Sequence, residues 1–149
     1  MISIRKATPS DAPSIIGFQQ KMAQETEGME LDIQIVTPGV NAVFHDQSRG
    51  QYYVAETDGR IIASLLITYE WSDWRNCNVW WFQSVFVEPE YRRQGIFRKM
   101  YNFIKQLAEE QDAAGLRLYV ETKNIRAKQT YEALGMSSEH YSFYEWMRK

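Results

Sequence analysis

A cluster of basic residues surrounds a glycine where a strand pattern gives way to a helix pattern. Residues 91–108 contain no Asp or Glu. They contain five cationic residues, namely Arg92, Arg93, Arg98, Lys99 and Lys105. The first N–H groups of a helix lack partners within it and lie at the positive end of its dipole, and Gly95 would let an anion approach them closely. The segment predicts a polyphosphate site; the alternative is a basic first turn on an ordinary surface helix.

The elements that position this segment follow from the spacing of apolar residues. Period-two alternation predicts strands at 2–5, 52–55, 61–69, 78–87, 116–121 and 141–147. Helical spacing and capping residues predict helices at about 9–25, 37–45, 95–111 and 125–134. Asp58-Gly59 is typical of a hairpin turn. This order predicts a mostly antiparallel sheet with one βαβ crossover, made by the helix at 95–111.

Length and composition restrict the class of protein. The 149 residues, 44% of them hydrophobic, predict one domain with one sizeable core. The net charge of −2 does not indicate a nucleic-acid partner, and no apolar run is long enough to span a membrane. The single cysteine, Cys77, cannot form an internal disulfide, which fits a reducing compartment. We therefore expect a cytoplasmic protein without nucleic-acid or membrane partners.

Two motifs, in this order, resemble those of the GNAT superfamily of N-acetyltransferases. The first motif of that family is Gln or Arg, two residues, Gly, one residue, then Gly or Ala. Residues 92–97 (Arg-Arg-Gln-Gly-Ile-Phe) match its first two fixed positions, and a phenylalanine stands at the third. The Val-Glu-Pro-Glu-Tyr-Arg run at 87–92, the Asn-Ile-Arg-Ala run at 124–127, Tyr131, and Leu-Gly-Met at 134–136 are also typical of the family.

The resemblance implies a fold and an activity. The fold is the mixed α+β GNAT fold, a single N-acetyltransferase domain over residues 1–149. It has a mostly antiparallel sheet of six to seven strands, a pair of splayed parallel strands, and helices on both faces. The activity is direct transfer of an acetyl group from acetyl-CoA to a primary amine of a small molecule or peptide, in a ternary complex without a metal. The alternatives are a non-catalytic acyl-CoA-binding or regulatory module on the same fold, and an unrelated phosphate-binding domain.

The resemblance also implies which residues contact the coenzyme. Backbone groups of 85–87 would pair with the pantetheine arm as an additional strand, and the N–H groups of 93–98 would hold the pyrophosphate. Asn124 would contact the pantetheine or order its loop. The predicted contacts are Val85, Phe86, Val87, Arg92, Arg93, Gln94, Gly95, Ile96, Phe97, Arg98, Asn124, Ala127 and Tyr131. The bulky side chain of Phe97 must point away from the phosphates, or the loop must shift.

Acyl transfer to an amine needs an acid, a base and a stabilised oxyanion. The resemblance implies that Tyr131 is the general acid for the departing thiolate, where the alternative is a core tyrosine. It also implies that a backbone N–H at Val85 meets the oxyanion. The base is less defined, because Gln83 stands where polyamine-type members carry a carboxylate. Tyr119 stands where some protein N-terminal acetyltransferases carry an acid. The candidate base is Glu70, acting through water; the alternative is a solvated charge at the end of a strand.

Acids and aromatic residues bear on the acceptor and on assembly. The resemblance implies that the region between the first two helices borders the acceptor site. Residues 22–48 contain five acids and no Lys or Arg, which favours a cationic amine as acceptor; the alternative is a solvated acidic face. The indoles of Trp71, Trp74, Trp80 and Trp81 could cage an amine, or belong to the core or a dimer surface. The aromatic tail with Tyr141, Phe143, Tyr144 and Trp146 favours a homodimer and leaves a monomer open. His45 and His140 show no metal or triad spacing.

Overall fold

The computed structural model describes all 149 residues, in two compact units, Met1–Arg117 and Leu118–Lys149. The first unit contains β1 (Ser3–Lys6), α1 (Ala12–Glu27), α2 (Ile33–His45), β2 (Gln51–Thr57), β3 (Arg60–Ser72), β4 (Cys77–Val87), α3 (Ile96–Glu110) and β5 (Gly115–Arg117). The second contains α4 (Ile125–Ala133). That the two units form a single domain stays a prediction. No helix is both long and apolar enough to cross a membrane.

The sheet has five strands in the order β1-β2-β3-β4-β5. The first four are antiparallel neighbours, and β5 lies parallel to β4 with α3 as the crossover. The mixed α+β fold with one βαβ unit is therefore confirmed. The predicted count of six to seven strands was too high, because β5 ends at Arg117 and residues 141–147 form no strand. Alternation in sequence does not supply the neighbouring edge that a strand needs.

Helices cover both faces of the sheet, as predicted. Tyr52 packs in a core with Ile15 of α1 and Val40 of α2. Its neighbour Tyr53 meets Phe103 of α3, with ring centroids 6.0 Å apart. Since successive strand residues point to opposite faces, α1 and α2 lie on one face and α3 on the other. We call these the α1 face and the α3 face.

The starts of the first two helices differ from the predicted ones. Pro9–Asp11 is a short 3₁₀ turn, and α1 proper begins at Ala12. The second helix begins at Ile33, where the side chain of Asp32 accepts a hydrogen bond from the Gln34 N–H at 2.8 Å. Pro38, expected at the first helical position, lies inside the helix. The start of α2 is therefore set by the N-cap residue Asp32, and not by Thr37-Pro38.

A carboxylate fixes the entry to α1. Asp11 receives two hydrogen bonds from Arg5, at 2.8 and 3.1 Å, and one from the Thr8 N–H at 2.8 Å. Its side chain is 8% exposed. The hydrogen bond from Arg5 is the largest cause that lowers the pKa of Asp11, and it outweighs the opposing effect of burial. The ionised carboxylate therefore joins β1 to the start of α1.

Replacing Asp11 with asparagine is expected to lower the free energy of unfolding by about 1–3 kcal/mol near neutral pH, because its donors lose an ionised acceptor. The folded-state pKa of Asp11 is lowered, so this stabilisation is present above the ordinary value of 3.8 and is lost as the pH falls below it. The free energy of unfolding should be measured with urea at several pH values from neutral to acid. The difference between Asp11→Asn and the wild type should become smaller as the pH falls. Asp58→Asn, at an exposed hairpin turn, is the control. If this difference did not change with pH, the ionised carboxylate of Asp11 would not be the source of the stabilisation.

Candidate active site

The strand β4 carries a β-bulge where the chemistry was predicted. Gln83 pairs with Leu66 and Phe86 with Ser64, so Ser84 and Val85 together oppose the single residue Leu65. Ser84 has a positive φ of 52°. Such a bulge interrupts the ladder of hydrogen bonds and re-aims the backbone. The predicted oxyanion donor, the N–H of Val85, therefore lies at a local break in the sheet.

The bulge also changes which face β4 presents. Phe82 stacks on Tyr101 of α3, with centroids 5.8 Å apart, whereas Phe86 stacks on Phe18 of α1 at 5.0 Å. These phenylalanines lie four positions apart in the sequence and would share a face in a regular strand. The extra residue in the bulge puts them on opposite faces.

The edge of β4 beyond the bulge has no strand beside it. β5 pairs with β4 only along Val79–Trp81, while β4 continues to Val87. A backbone edge of this kind can pair with an extended chain carrying amide groups. The arrangement agrees with the predicted pairing of 85–87 with the pantetheine arm, which stays a prediction.

The loop that follows β4 exposes backbone donors at the start of α3. Arg93 and Gly95 both have positive φ, 63° and 77°, and none of the N–H groups of 93–95 donates a hydrogen bond within the protein. The first residues of α3 add further N–H groups without helical partners. Successive N–H groups in such turns form an anion-binding concavity. The predicted anion site therefore has a suitable backbone.

Gly95 serves the backbone conformation of this loop. A Cβ added there would meet no atom within 4 Å, so packing does not exclude a side chain. Its φ of 77° is one that L residues rarely adopt. The open space over the glycine also leaves the adjacent N–H groups accessible to an anion.

Arg92 is held by the protein itself. Its Nε donates to the Val87 carbonyl at 2.7 Å, and its Nη2 donates to both carboxylate oxygens of Glu25 at 2.9 and 3.1 Å. Its guanidinium lies 5.3 Å from the ring centroid of Phe86. The side chain therefore shapes the loop, and its contact with the coenzyme stays a prediction. The exposed cations Arg93, Arg98 and Lys99 form no ion pair within the protein.

The other end of the loop is tied to the same helix. Glu88 has a side chain only 7% exposed and accepts hydrogen bonds from Lys21 of α1 at 2.8 Å and from Arg60 at 3.1 Å. Burial acts to raise the pKa of Glu88, but the two cations outweigh it and the pKa is lowered. Lys21 and Glu25 are one helical turn apart. One side of α1 therefore holds both ends of residues 88–92; we call these contacts the loop clamp.

Breaking the loop clamp at Arg92 is expected to weaken coenzyme A binding. Arg92→Ala removes the bonds to Val87 and Glu25, and a raised dissociation constant of about 3- to 10-fold should follow, since partly exposed ion pairs and single hydrogen bonds contribute modestly. Isothermal titration calorimetry measures it. Glu25→Gln should give a smaller change in the same direction. Glu27→Gln, at the exposed end of α1, is the control; equal affinities in all variants would contradict the clamp.

Phe97 occupies the third motif position without facing the exposed loop donors. Its ring lies 6.0 Å from the ring centroid of Phe82 and 6.3 Å from that of Tyr101. The side chain therefore packs against the α3 face of the sheet. Of the two possibilities for Phe97, the structure shows the side chain turned towards the core.

A row of polar side chains lies on the α1 face beside the bulge; we call it the polar row. The Gln83 amide donates to Thr68 at 3.4 Å, and Glu70 accepts from the Trp81 indole at 2.9 Å and from Arg117 at 2.8 Å. Thr68 and Glu70 share their face with Leu66, which packs against the core under α1 and α2. The predicted base Glu70 thus belongs to a fixed hydrogen-bonded network.

The network changes the chemistry of Glu70. The hydrogen bond from Trp81 is the largest cause that lowers its pKa, followed by that from Arg117. A carboxylate with a lowered pKa is a weaker proton acceptor, and it stays ionised at neutral pH. Its environment therefore fits attraction of a cation better than removal of a proton. That Glu70 acts as the base through water stays a prediction.

Most of the acids between residues 22 and 48 have structural partners. Glu25 pairs with Arg92, Asp32 caps α2, and Asp46 accepts from the Ser48 N–H at 3.0 Å. These structural contacts explain three of the five acids, so those three need no cationic acceptor substrate to account for them. The acidic stretch by itself is therefore a weaker indication of a cationic acceptor than the ionised Glu70.

The second unit contains the other predicted site residues. Asn124 caps α4, its Oδ1 accepting from the Ala127 N–H at 3.1 Å, and Gly135, with a φ of 94°, follows the helix. Burial raises the pKa of Tyr131, so its phenol keeps its proton at neutral pH. A protonated phenol is the form that an acid requires. The role of Tyr131 at a thioester sulfur stays a prediction, as do the coenzyme contacts of Asn124 and Ala127.

Comparison with known proteins decides the family. Residues 17–136 match the Acetyltransferase (GNAT) family. The chain belongs to the GNAT family. A structure described as that of a possible acetyltransferase from Clostridium difficile 630 shares 45% sequence identity, with a TM-score of 0.92 over 100% of this chain and 99% of that one. The resemblance drawn from the two motifs is therefore confirmed.

Two curated relatives are N-acetyltransferases by name. Thialysine N-epsilon-acetyltransferase of Bos taurus is 36% identical over 70 residues, or 47% of this chain and 41% of the relative. S-alkylcysteine N-acetyltransferase of Bacillus subtilis (strain 168) is 24% identical over 106 residues, or 68% of this chain and 58% of the relative. The matches thus span about half the length of these relatives. GNAT enzymes use acetyl-CoA as co-substrate, and the free N–H groups of 93–95 fit its pyrophosphate.

Proposed function

We propose that this GNAT protein transfers an acetyl group from acetyl-CoA to the primary amine of a small molecule, directly within a ternary complex. The observation that carries the proposal is the continuity of three features along one stretch of chain. The bulge at Ser84–Val85, the unpaired edge through Val87 and the free N–H groups of 93–95 follow one another. Together they provide for a carbonyl, an amide-bearing arm and a pyrophosphate in the order that acetyl-CoA presents them.

On the donor side the protein contributes mainly backbone groups. The N–H groups of 93–98 hold the pyrophosphate, with Arg93, Arg98 and Lys99 adding positive charge around it. The edge of 85–87 aligns the pantetheine arm, and the loop clamp keeps the turn between these two regions in shape. Backbone recognition explains why a phenylalanine at position 97 is compatible with coenzyme binding.

The reaction needs a neutral amine and two proton movements. The amine nitrogen attacks the acetyl carbonyl carbon, and the Val85 N–H donates to the oxygen that becomes negative. The carbon–sulfur bond then breaks as Tyr131 gives its proton to the thiolate, and the proton that the attacking nitrogen loses on becoming an amide restores the phenol through water. An alkylammonium with a pKa near 10.4 must first lose a proton, at a cost of roughly 4–5 kcal/mol at neutral pH. The polar row supplies one carboxylate, Glu70, to take up that proton through water.

We propose a small cationic amine of the amino-acid type as the acceptor. The polar row beside the bulge combines an ionised carboxylate, Glu70, with a guanidinium, Arg117, joined at 2.8 Å. Charges of both signs suit an acceptor that itself carries both. The two named relatives act on thialysine and on an S-alkylcysteine, which supports this class of acceptor over a protein.

The proposal is tested by measuring release of coenzyme A thiol from acetyl-CoA over a panel of amines. The panel should contain S-alkylcysteines, thialysine and lysine, diamines without a carboxylate, and peptides with free N-termini. Saturable, amine-dependent release with an amino-acid amine as the best acceptor is expected. Preference for peptides would contradict the acceptor class while leaving acetyl transfer intact.

The competing function is a non-catalytic acyl-CoA-binding module, which the glutamine at position 83 and the lowered pKa of Glu70 favour. This module would show stabilisation by coenzyme A in a thermal unfolding experiment and no thiol release with any amine. In addition, Tyr131→Phe would leave all of its properties unchanged. Those results together would replace the enzymatic proposal.

A further inference from the structure

A second concave site lies on the α3 face of the sheet, on the side away from the polar row. It has a volume of about 410 Å³. It is formed by the C-terminal end of β3, the N-terminal end of β4 and the turn that follows α3. Its walls include Tyr69, Trp71 and Trp80, and Asp112 stands at the turn. Tyr69 lies two residues beyond the buried Ile67 and pairs with Trp80, two residues before Phe82. The alternation of both strands therefore places these rings on the α3 face.

The aromatic side chains form an open corner. The rings of Tyr69 and Trp80 meet edge to face, with centroids 5.9 Å apart and an interplanar angle of 72°. Trp80 is buried, whereas Trp71 remains 61% exposed. Tyr69 and Trp71 therefore offer accessible ring surface to a small ligand, with the buried Trp80 behind them. Folding alone does not require the exposed indole at Trp71.

The charge at this corner has one sign. Asp112 forms no ion pair within the protein, and no Lys or Arg lines the pocket. The turn also follows the C-terminus of α3, where the carbonyl end of the helix dipole is negative. Ring faces, a carboxylate and a helix C-terminus all attract positive charge. The volume is at the lower end of the range for small-molecule sites.

We propose that this pocket binds a small organic cation with alkyl substituents on nitrogen. Such a ligand loses little hydration and contacts ring faces with its alkyl groups while its charge meets Asp112. The site is distinct from the proposed catalytic centre. β4 begins at Cys77 beside the pocket and ends at Val87, about 30 Å further along an extended strand, where the chain turns towards the N–H groups of 93–95. The polar row lies on the opposite face of the sheet.

Choline and its neutral carbon analogue 3,3-dimethylbutan-1-ol are a matched pair of probes for this site. Titration of ¹⁵N-labelled protein with choline should give saturable shifts at the Trp80 indole N–H and at the amides of 111–113. The neutral analogue should bind at least about fivefold more weakly. If the two probes bound equally well, the pocket would recognise only apolar surface and the proposal would be overturned. The absence of saturable shifts with choline would also overturn it.

Two variants keep the test specific. Asp112→Asn keeps a residue type that tolerates the positive φ of 58° and should weaken choline about fivefold or more. Trp71→Leu should weaken it by a similar factor. Trp74→Leu is the control, since Trp74 is 91% exposed and does not line the pocket. Unchanged affinity in both Asp112→Asn and Trp71→Leu would exclude this pocket as the cation site, whatever the outcome of acetyl-transfer assays.

Discussion

Replacing Gly95 with valine is expected to raise the dissociation constant for coenzyme A by about 30-fold or more. The φ of 77° at this residue is strained for any side chain with a Cβ, and a β-branched one suffers most. The loop relieves a strain of about 2–3 kcal/mol by leaving the conformation that exposes the N–H groups of 93–95. Calorimetric titration with coenzyme A measures the change directly.

Matched variants separate backbone strain from loss of space at Gly95. A Cβ there meets no neighbour within 4 Å, so Gly95→Val creates no clash, and the melting temperature should fall only by the few degrees that the backbone strain costs. Gly95→Asn should retain more affinity than Gly95→Val, because asparagine tolerates the left-handed region. Gly39→Val, at a glycine in α2 without positive φ, should leave coenzyme binding unchanged. If Gly95→Val and Gly95→Asn bound coenzyme A like the wild type, the loop would not be the pyrophosphate site.

Replacing Tyr131 with phenylalanine is expected to lower kcat about 100-fold or more, with little change in coenzyme A affinity. The substitution removes one hydroxyl, and loss of a positioned acid typically costs this factor or more. Burial raises the pKa of Tyr131, so the acid stays protonated through neutral and moderately alkaline pH. The rate of the wild type should therefore rise as the amine deprotonates and fall only above the ordinary tyrosine value of 10.0.

The pH profile distinguishes an acid from a merely structural tyrosine. Tyr131→Phe should lose the alkaline decline along with most of its rate. Tyr144→Phe, at a tyrosine 92% exposed, should behave like the wild type. A kcat within twofold of the wild type in Tyr131→Phe would mean that the thiolate departs without this proton.

Local features of the site could be predicted from the sequence, because their causes lie close together in the chain. Gly95 and the basic residues around it are a few positions apart, and the helix pattern after them is regular. The crossover followed from the order of strands and helices. In contrast, the sequence places Arg92 with the other cations around Gly95 and gives no sign of its partner Glu25, which lies 67 residues away. Only the folded chain shows that this guanidinium holds the loop.

The bulge in β4 had no clear signal in the sequence. No glycine or proline marks it, and Ser84 is an ordinary residue with an unusual φ of 52°. The even spacing of Phe82 and Phe86 predicts a shared face, whereas in the structure the two rings contact different helices. The tryptophans near the hairpin are close in sequence but do not form one cluster. Strand alternation places Trp80 on the α3 face and Trp81 in the polar row.

The aromatic tail has the sequence pattern of a strand without being one. Residues 141–147 alternate like a strand and form none, and Tyr141, Tyr144 and Trp146 are exposed. Alternation describes a segment that could pair, while pairing depends on an edge elsewhere in the protein. That this tail supports a homodimer stays a prediction, which the mass of the protein in solution would test.

The proposed function depends on direct transfer of the acetyl group at the bulge of β4. It is tested by supplying acetyl-CoA with a deuterated acetyl group and the best amine from the panel, then following the label by mass spectrometry. We expect the label to appear on the acceptor nitrogen during a single turnover and never on the protein, and acetyl-CoA to stay intact when the amine is omitted. Label on a protein side chain before it reaches the acceptor would contradict it.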